Sequence, residues 1–394
     1  MVERVYLDWN ATAPLRPEAR AAVSVALDLV GNPSSVHGEG RAARRVVEQA
    51  RSAVANLLGA EAAAVIFTSG GTEANVLALT PAIEVGGDKT PCSRLLVSAI
   101  EHPSVRAGGR FPAGAVEEIP VTAAGTVDLN ALEQRLSGLA GAGRVLVSLM
   151  HANNETGVVQ PVAAAAELVH AAGGLLHVDA VQSAGKIPCD IKALGADLMT
   201  LSAHKLGGPK GVGALVVGRA GLHVGHPLLK GGGQERGARA GTENVPGIAG
   251  FGAAAEAAAR TLGADAASMS SLRDALEAGL KAVSPDAVIF GSEVERLPNT
   301  MLVAVPGLKA ETALIALDLD GVAVSSGAAC SSGKVTPSHV LAAMGVGAGL
   351  ARGAIRVSLG PATTANEIGV FLKAWTKLAK GLSKGSNTRR GIAA

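Results

Sequence analysis

The 394-residue chain has few aromatic residues, few cysteines and no long apolar segment. Five Phe, two Trp and one Tyr leave Ala, Val and Leu to fill the core, a composition that suits helices packed on a sheet. The cysteines Cys92, Cys189 and Cys330 are widely spaced and fit neither a disulfide framework nor a Cys-x-x-Cys metal site. No uncharged apolar run reaches about 18 residues, so the sequence predicts no membrane-spanning helix and no membrane partner.

The sequence also lacks an excess of charge of one sign. It carries 35 basic and 33 acidic residues, a net charge of +2, without a long block of like charge, which argues against a nucleic-acid partner. The first residues lack the basic-then-apolar order of a secretory signal, so a cytoplasmic location is expected.

Between about residues 60 and 220 the chain alternates β-branched runs with Ala-rich helical segments. This order is typical of βαβ units, which build an α/β fold around a mostly parallel sheet. The candidate strands are 65–68, 95–99, 145–150, 175–179, 198–202 and 213–217, and the candidate helices between them are 73–80, 128–136 and 162–172. An Ala-rich helix from 248 to about 262 is expected to connect this unit to a smaller α+β domain that begins with a helix at 269–283.

Polar side chains follow the candidate strands, at the carboxyl ends where ligands bind in such sheets. A glycine turn at 69–75 enters a helix, and a helix start of this kind can bind a phosphate. The other strands are followed by an imidazole, amides, a carboxylate and an amine: His102, Asn153, Asn154, Asp179, Gln182 and Lys205. Each residue alone has an ordinary explanation as a turn, a helix cap or a solvated side chain. Together, a phosphate-binding turn, a stacking ring, an acid and a lysine are the groups that pyridoxal phosphate needs.

Eight motifs carry a family resemblance: 6–12 (YLDWNAT), 32–37 (NPSSVH), 71–75 (GTEAN), 151–157 (HANNETG), 177–182 (HVDAVQ), 202–205 (SAHK), 239–244 (RAGTEN) and 325–333 (SSGAACSSG). Through these motifs the chain resembles, from residue 6 to about 364, the cysteine desulfurases of the NifS/IscS type. Those enzymes belong to the class V aminotransferase group. The resemblance implies the fold-type I pyridoxal-phosphate-dependent transferase fold, an α/β fold with a mostly parallel seven-stranded sheet, helices on both faces and a smaller α+β domain. We assign residues 15–260 to the large cofactor-binding domain, and residues 1–14 and 261–394 to the small domain.

The resemblance also implies roles for the polar residues. Lys205 would bind the cofactor covalently and then transfer protons at the substrate Cα, Asp179 would keep the pyridine nitrogen protonated, and His102 would stack on the ring. Thr242 would reach the phosphate bound in the neighbouring subunit, which implies a homodimer. The remaining cofactor contacts would be Gly71, Thr72, Asn153, Gln182, Ser202 and His204.

Two further residues would determine the reaction. Arg356 would bind the substrate carboxylate through a bidentate pair, with Asn10 and Asn153 nearby. Cys330 would attack the sulfur of L-cysteine and become a persulfide, leaving L-alanine; its Ser, Gly and Ala neighbours predict an exposed thiol on a mobile loop. The persulfide would then supply an iron-sulfur scaffold or another sulfur-acceptor protein.

Other interpretations remain open from the sequence. A selenocysteine lyase or another class V aminotransferase would share the scaffold, although a transaminase needs no thiol at Cys330. A non-catalytic protein that keeps the cofactor site, or that docks sulfur carriers, conflicts with the intact Lys205. His223 and His226 have no third ligand nearby in the sequence, so no metal is expected.

Overall fold

The computed structural model describes residues 4–326 and 338–390, with side chains described through residue 380, so Cys330 lies outside the described residues. In this part of the chain the α-helices are α1 (Pro17–Leu27), α2 (Gly38–Leu57), α3 (Gly71–Ala78), α4 (Pro103–Arg106), α5 (Leu129–Gly138), α6 (Val162–Ala171), α7 (Val245–Val283), α8 (Ala310–Leu319), α9 (His339–Ala343), α10 (Ala348–Ala351) and α11 (Ala365–Arg390). The strands are β1 (Val5–Tyr6), β2 (Val65–Thr68), β3 (Ile83–Val85), β4 (Cys92–Ser98), β5 (Val116–Ile119), β6 (Arg144–Met150), β7 (Leu175–Asp179), β8 (Leu198–Ser202), β9 (Gly213–Val217), β10 (Leu222–Val224), β11 (Val288–Ile289), β12 (Thr300–Ala304), β13 (Val322–Ala323), β14 (Ser325–Ser326) and β15 (Ile355–Ser358).

The largest sheet has seven strands in the order β2-β9-β8-β7-β6-β4-β5. Its neighbouring strands from β5 to β8 are parallel, and β9 is antiparallel to both β8 and β2. The predicted seven-stranded, mostly parallel sheet is therefore confirmed. Met150 pairs with Asp179, and Asp179 pairs with Thr200, so the carboxyl ends of β6, β7 and β8 lie side by side.

Helices cover both faces of this sheet because successive side chains of a strand point to opposite sides. In β4, Leu96 belongs to one core, whereas Leu95 and Val97 belong to the other. In β6, Val147 and Leu146 are divided in the same way. Buried residues of α2, α6 and the first part of α7 pack on the first face, and those of α3 pack on the second.

A second sheet of four antiparallel strands, in the order β11-β12-β15-β14, has a core of its own. In this core Leu7 packs together with Leu280 of α7, Val357 of β15 and Trp375 of α11. Strand β1 pairs with β13 in parallel, so the first described residues join the C-terminal part of the chain. The division of the chain into residues 15–260 and residues 1–14 with 261–394 stays a prediction.

Helix α7 differs from the prediction. The sequence predicts two helices, at 248–262 and 269–283, whereas α7 is continuous over 39 residues. Gly263 and Asp265 interrupt the apolar pattern, and Gly263 is an exposed position of the helix with open space around it. The proposed domain boundary falls inside α7, whose Phe251 lies in the first core and whose Leu280 lies in the second. None of the helices in residues 4–326 and 338–390 is both long enough and apolar enough to cross a membrane.

Candidate active site

A cavity of about 600 Å³ lies at the carboxyl ends of the parallel strands. This volume is in the range of small-molecule sites, which is about 300–1,000 Å³. The parallel strands bring together residues from distant parts of the sequence. The predicted site residues that line the cavity are Asn10, Gly71, Thr72, His102, Asp179, Gln182, Ser202, His204, Lys205 and Arg356.

One end of the cavity is formed by the turn between β2 and α3. Gly71 begins α3, and a Cβ added there would lie 3.0 Å from Val181 Cγ2 and 3.3 Å from Ser202 Cβ. Glycine therefore permits the close approach of α3 to the end of β8. The backbone N–H groups at this helix start, with the hydroxyls of Thr72 and Ser202, can bind an anion.

His204 and Lys210 border the same end of the cavity. Burial first, and then the charges of Lys205 and Lys210, lower the pKa of His204 to about 4. The imidazole is therefore neutral at pH 7, and its Nδ1 lies 3.1 Å from Thr12 Oγ1. Lys210 is a second basic residue at this end of the cavity; it was not predicted from the sequence, because it lies in a loop outside the motifs.

Asp179 ends β7 and is almost completely buried, at 5% exposure. Its Oδ1 accepts a hydrogen bond from the backbone N–H of Val181 at 2.9 Å, and its Oδ2 accepts one from Asn75 Nδ2 at 2.8 Å. Glu101 is fully buried nearby, and burial first, then the charge of Asp179, raises the pKa of Glu101 well above its usual value. Burial and the neighbouring carboxylate of Asp179 thus both favour the protonated form of Glu101.

His102 caps the short helix α4, where its Nδ1 accepts a hydrogen bond from the backbone N–H of Ser104 at 3.2 Å. The same Nδ1 lies 2.7 Å from Ser104 Oγ. Burial is the largest influence and lowers the pKa of His102; Asp179 opposes that shift and Lys205 adds to it. The neutral ring is therefore favoured at pH 7, in a position where it lines the cavity.

Lys205 closes the short 3₁₀ turn Ala203–Lys205 that follows β8. Its Nζ donates to the backbone carbonyls of Asn10 and Ala11, at 2.6 and 2.9 Å. The carbonyl of Asn10 also accepts from Gln182 Nε2 at 3.0 Å. Backbone carbonyls near the start of the chain thus fix the direction of the lysine amine.

Asn10 is the centre of a buried polar cluster. Its Oδ1 accepts from Lys186 Nζ at 3.0 Å and from Asn299 Nδ2 at 3.0 Å, and its Nδ2 donates to Thr300 Oγ1 at 2.9 Å. Lys186 also donates to Gln182 Oε1 at 2.9 Å, which leaves the Gln182 amide nitrogen directed toward Asn10. Lys186 was not predicted from the sequence, because it lies outside the motifs and its role follows only from its contacts with Asn10 and Gln182.

Arg356 lies in β15 with 3% of its side chain exposed. Its two terminal nitrogens donate to Asp8 Oδ1 at 2.8 Å and to the backbone carbonyl of Asn154 at 2.9 Å. Its Nε is buried and has no hydrogen-bond partner among the described residues. The guanidinium is thus anchored by Asp8 and Asn154, and Arg356 lines the cavity.

The structure corrects the place given to Asn153. Its side chain turns into the protein, where Oδ1 accepts from the backbone N–H groups of Glu155 and Thr156, both at 2.9 Å, and Nδ2 donates to the carbonyl of Ile100 at 3.1 Å. Asn153 is fully buried and does not line the cavity, whereas Asn154 does. The tight turn after β6 explains the change, because it directs adjacent side chains to opposite sides.

Thr242, another predicted residue, does not line this cavity. Thr242 is exposed and borders a separate cavity of about 200 Å³ with Phe67, Ser69 and Arg239. Its predicted contact with a neighbouring subunit stays a prediction, as does the role of Cys330, which lies outside the described residues. In the part of the chain that the structure describes, no group of three or more His, Cys, Asp or Glu side chains is placed to hold a metal ion.

The chain matches the family model of the class-V aminotransferases over residues 5–371. It is 47% identical to a cysteine desulfurase of Cereibacter sphaeroides, over 94% of this chain and 95% of that protein. It is 40% identical to the cysteine desulfurase IscS of Dictyoglomus turgidum, over 94% of this chain and 93% of that protein.

Solved structures agree with these sequence relatives. A NifS-like protein of Rickettsia africae superposes with a TM-score of 0.86 at 35% identity, covering 96% of this chain and all of that one (100%). A structure described as SspA in complex with cysteine superposes with a TM-score of 0.75 at 28% identity, covering 91% and 100% of the two chains. The chain therefore belongs to the class-V aminotransferase family and, within that family, to the cysteine desulfurases.

Proposed function

We propose that this chain binds pyridoxal phosphate in the cavity and converts L-cysteine to L-alanine, with transfer of the sulfur to Cys330 as a persulfide. One observation carries the proposal: a single cavity joins the amine of Lys205, the carboxylate of Asp179 and the guanidinium of Arg356. The cysteine described in the SspA structure supports the choice of substrate.

The residues present fit pyridoxal phosphate. The helix start at Gly71 and the hydroxyl of Ser202 suit a phosphate, Asp179 suits a protonated pyridine nitrogen, and His102 offers an aromatic face. The close approach of α3 to Ser202, which a Cβ at Gly71 would obstruct, gives the phosphate end its shape. When bound, the cofactor supplies a ring that withdraws electrons from the substrate Cα.

The chain's own residues supply the proton transfer and the orientation. Lys205 Nζ, held by two backbone carbonyls, is placed to take up and return the proton of the substrate Cα. His102 is favoured in its neutral form and is the second group at the cavity that can exchange a proton near pH 7. Arg356 lines the same cavity, where its guanidinium can bind the substrate carboxylate and keep the amino acid in one orientation.

Sulfur transfer then balances without an external oxidant. The thiolate of Cys330 attacks the sulfur atom of L-cysteine, so an S–S bond forms while the C–S bond of the substrate breaks. The electron pair of the broken bond remains on the substrate carbon, which takes up a proton. The products are L-alanine and a persulfide on Cys330, which we propose is passed to an iron-sulfur scaffold or another sulfur-acceptor protein.

Purified protein loaded with pyridoxal phosphate is expected to release L-alanine from L-cysteine, one molecule for each sulfur atom delivered to a thiol reductant. Amino-acid analysis and sulfide determination measure the two products. Formation of a keto acid in place of alanine would identify a transaminase, and turnover of selenocysteine without turnover of cysteine would identify a lyase specific for selenium. A protein that binds the cofactor and yields no product would be a non-catalytic relative.

Arg356→Lys is expected to raise KM for L-cysteine by about 10- to 100-fold with a smaller change in kcat, because an ammonium keeps the charge and loses the planar set of donors. Steady-state kinetics with L-cysteine measures both constants. The control is Asp8→Asn, which removes the anion bonded to Arg356 and leaves the guanidinium in place, so its KM should rise less. An unchanged KM in Arg356→Lys would remove Arg356 from the substrate site.

We also propose that two copies of the chain form a homodimer in which Thr242 completes the partner's phosphate site. Glu235, in the same loop as Thr242, is buried and accepts from Arg51 at 2.7 and 2.9 Å, so the loop is anchored while Thr242 remains exposed. Val30 and Val36 are 93% and 88% exposed, which leaves apolar area for an interface. Sedimentation of the loaded protein at two concentrations measures the oligomeric state.

A further inference from the structure

Asn75 is a buried polar residue on an otherwise apolar face of α3. It is 1% exposed, and its neighbours on that face, Ala74, Leu77 and Ala78, belong to the core beneath the sheet. A buried amide is costly unless its donors and acceptor are all bonded. In this structure they are all bonded, and the partners include the carboxylate at the cavity.

The direction of each hydrogen bond follows from Asp179. A carboxylate can only accept, so the atom of Asn75 that lies 2.8 Å from Asp179 Oδ2 must be the amide nitrogen. The same Nδ2 donates to Ser104 Oγ at 2.9 Å, and the amide oxygen accepts from Thr200 Oγ1 at 2.6 Å. Both amide hydrogens and the carbonyl of Asn75 are therefore used.

The chain of bonds continues to His102. Because Ser104 Oγ accepts the hydrogen of Asn75, its own hydrogen is available for His102 Nδ1, 2.7 Å away. The backbone N–H of Ser104 donates to the same nitrogen. Two donors directed at Nδ1 make it an acceptor, so the proton of the neutral ring is on Nε2.

We propose that Asn75 is a positioning residue that anchors Asp179 and His102 together, setting the carboxylate plane of the first and, through Ser104, the Nε2–H form of the second. The proposal deepens the proposed function, since it concerns the two groups expected to contact the pyridine ring. It accounts for a polar residue at this place in an apolar core. It also predicts that one substitution on α3 alters both Asp179, at the end of β7, and His102, which follows β4.

The test is NMR of the full-length protein, with and without pyridoxal phosphate. Labelled ¹⁵N-histidine reports the tautomer of His102, assigned with His102→Gln, and ¹³C-labelled aspartate reports the hydrogen bonding of the Asp179 carboxylate through its chemical shift. In the parent protein, His102 Nδ1 should show the shift of an unprotonated nitrogen. In Asn75→Ala, His102 should become a mixture of tautomers, because Ser104 Oγ loses the Asn75 hydrogen and can then accept one from Nδ1. The ¹³C signal of the Asp179 carboxylate should also shift, because this group loses one hydrogen-bond donor.

Ser104→Ala is the matched variant, because it removes the hydroxyl that reaches His102 and leaves the bond between Asn75 and Asp179. It should change the His102 signal and leave the ¹³C signal of Asp179 unaltered. Asn130→Ala, at an exposed position in α5, should change neither group. In the loaded enzyme, Asn75→Ala should lower kcat by about 10-fold with little effect on KM, since Arg356 still holds the substrate.

The proposal is wrong if Asn75→Ala alters only one of the two groups, or if His102 in the parent protein carries its proton on Nδ1. The second outcome is measured on the parent protein alone, so it does not depend on whether a variant folds. The NMR signals need no turnover, and an inactive protein with both predicted responses would contradict the proposed function and leave this inference standing.

Discussion

Replacing Lys205 by alanine is expected to abolish conversion of L-cysteine to L-alanine, with a loss of at least about 1,000-fold in kcat. The substitution removes the amine that would bind the cofactor and the group that would move the Cα proton. The rest of the cavity should persist, because Ser202 and His204, which precede Lys205 in the chain, also line it. Alanine release by the loaded variant, compared with the parent, measures the effect.

Lys186 makes this experiment informative, since it is a second lysine amine beside the same Asn10. Burial first, and then the charges of Lys205 and Arg356, lower the pKa of Lys186 well below its usual value, so its amine is also deprotonated more easily than an exposed one. Borohydride reduction of the loaded protein followed by peptide mapping should place the pyridoxyl group on Lys205. Finding it on Lys186 would reverse the assignment. Lys192→Ala, at an exposed position, serves as the control and should retain parent activity.

The second large effect is expected for Cys330→Ala, which should retain the cofactor and bind L-cysteine but lose persulfide formation by at least about 100-fold. The other two cysteines are poor substitutes. Burial raises the pKa of Cys92 to about 11 and that of Cys189 to about 12, and both are 3% exposed. A thiol with a pKa near 11 has roughly one thiolate in 10,000 molecules at pH 7, so neither offers a useful nucleophile.

Mass spectrometry of the parent protein after a single turnover locates the persulfide. Cys92→Ala is the matched control, because it deletes a buried thiol outside the cavity; it should lower stability by about 1 kcal/mol and keep the activity. Persulfide on Cys92 or Cys189, or a Cys330→Ala variant that desulfurates cysteine at the parent rate, would overturn the role of Cys330.

The strands that carry the site are predicted well from the sequence, because short runs of neighbouring residues specify them. Buried β-branched runs specify strands such as β7 and β8, whose bounds match the prediction. The residues that follow those strands, including Asp179 and Lys205, meet because parallel strands place their carboxyl ends at one edge. Ten predicted residues accordingly line one cavity.

The remaining parts of the site depend on packing between distant segments, which no local pattern contains. Asp8 reaches Arg356 because β1 pairs within the C-terminal part of the chain. The amine of Lys186 can be buried because Asn10 accepts a hydrogen bond from it. The choice between Asn153 and Asn154 depends on the rotation of a single turn. Helix α7 continues through Gly263 because its two halves are each stabilised by a core, which outweighs the weak local preference of one glycine.

The polar cluster around Asn10 has a consequence for the order in which the protein folds. Its bonds join residues that are 195 apart in the case of Lys205 and 290 apart in the case of Thr300, and the bond from Arg356 to Asp8 spans 348 positions. Closing loops of this length is slow, and synthesis proceeds from the N-terminus. During translation the segment 8–12 must therefore wait, without its final partners, until β15 has left the ribosome. The cavity is completed among the last events of folding, and cofactor uptake becomes a step that follows chain completion.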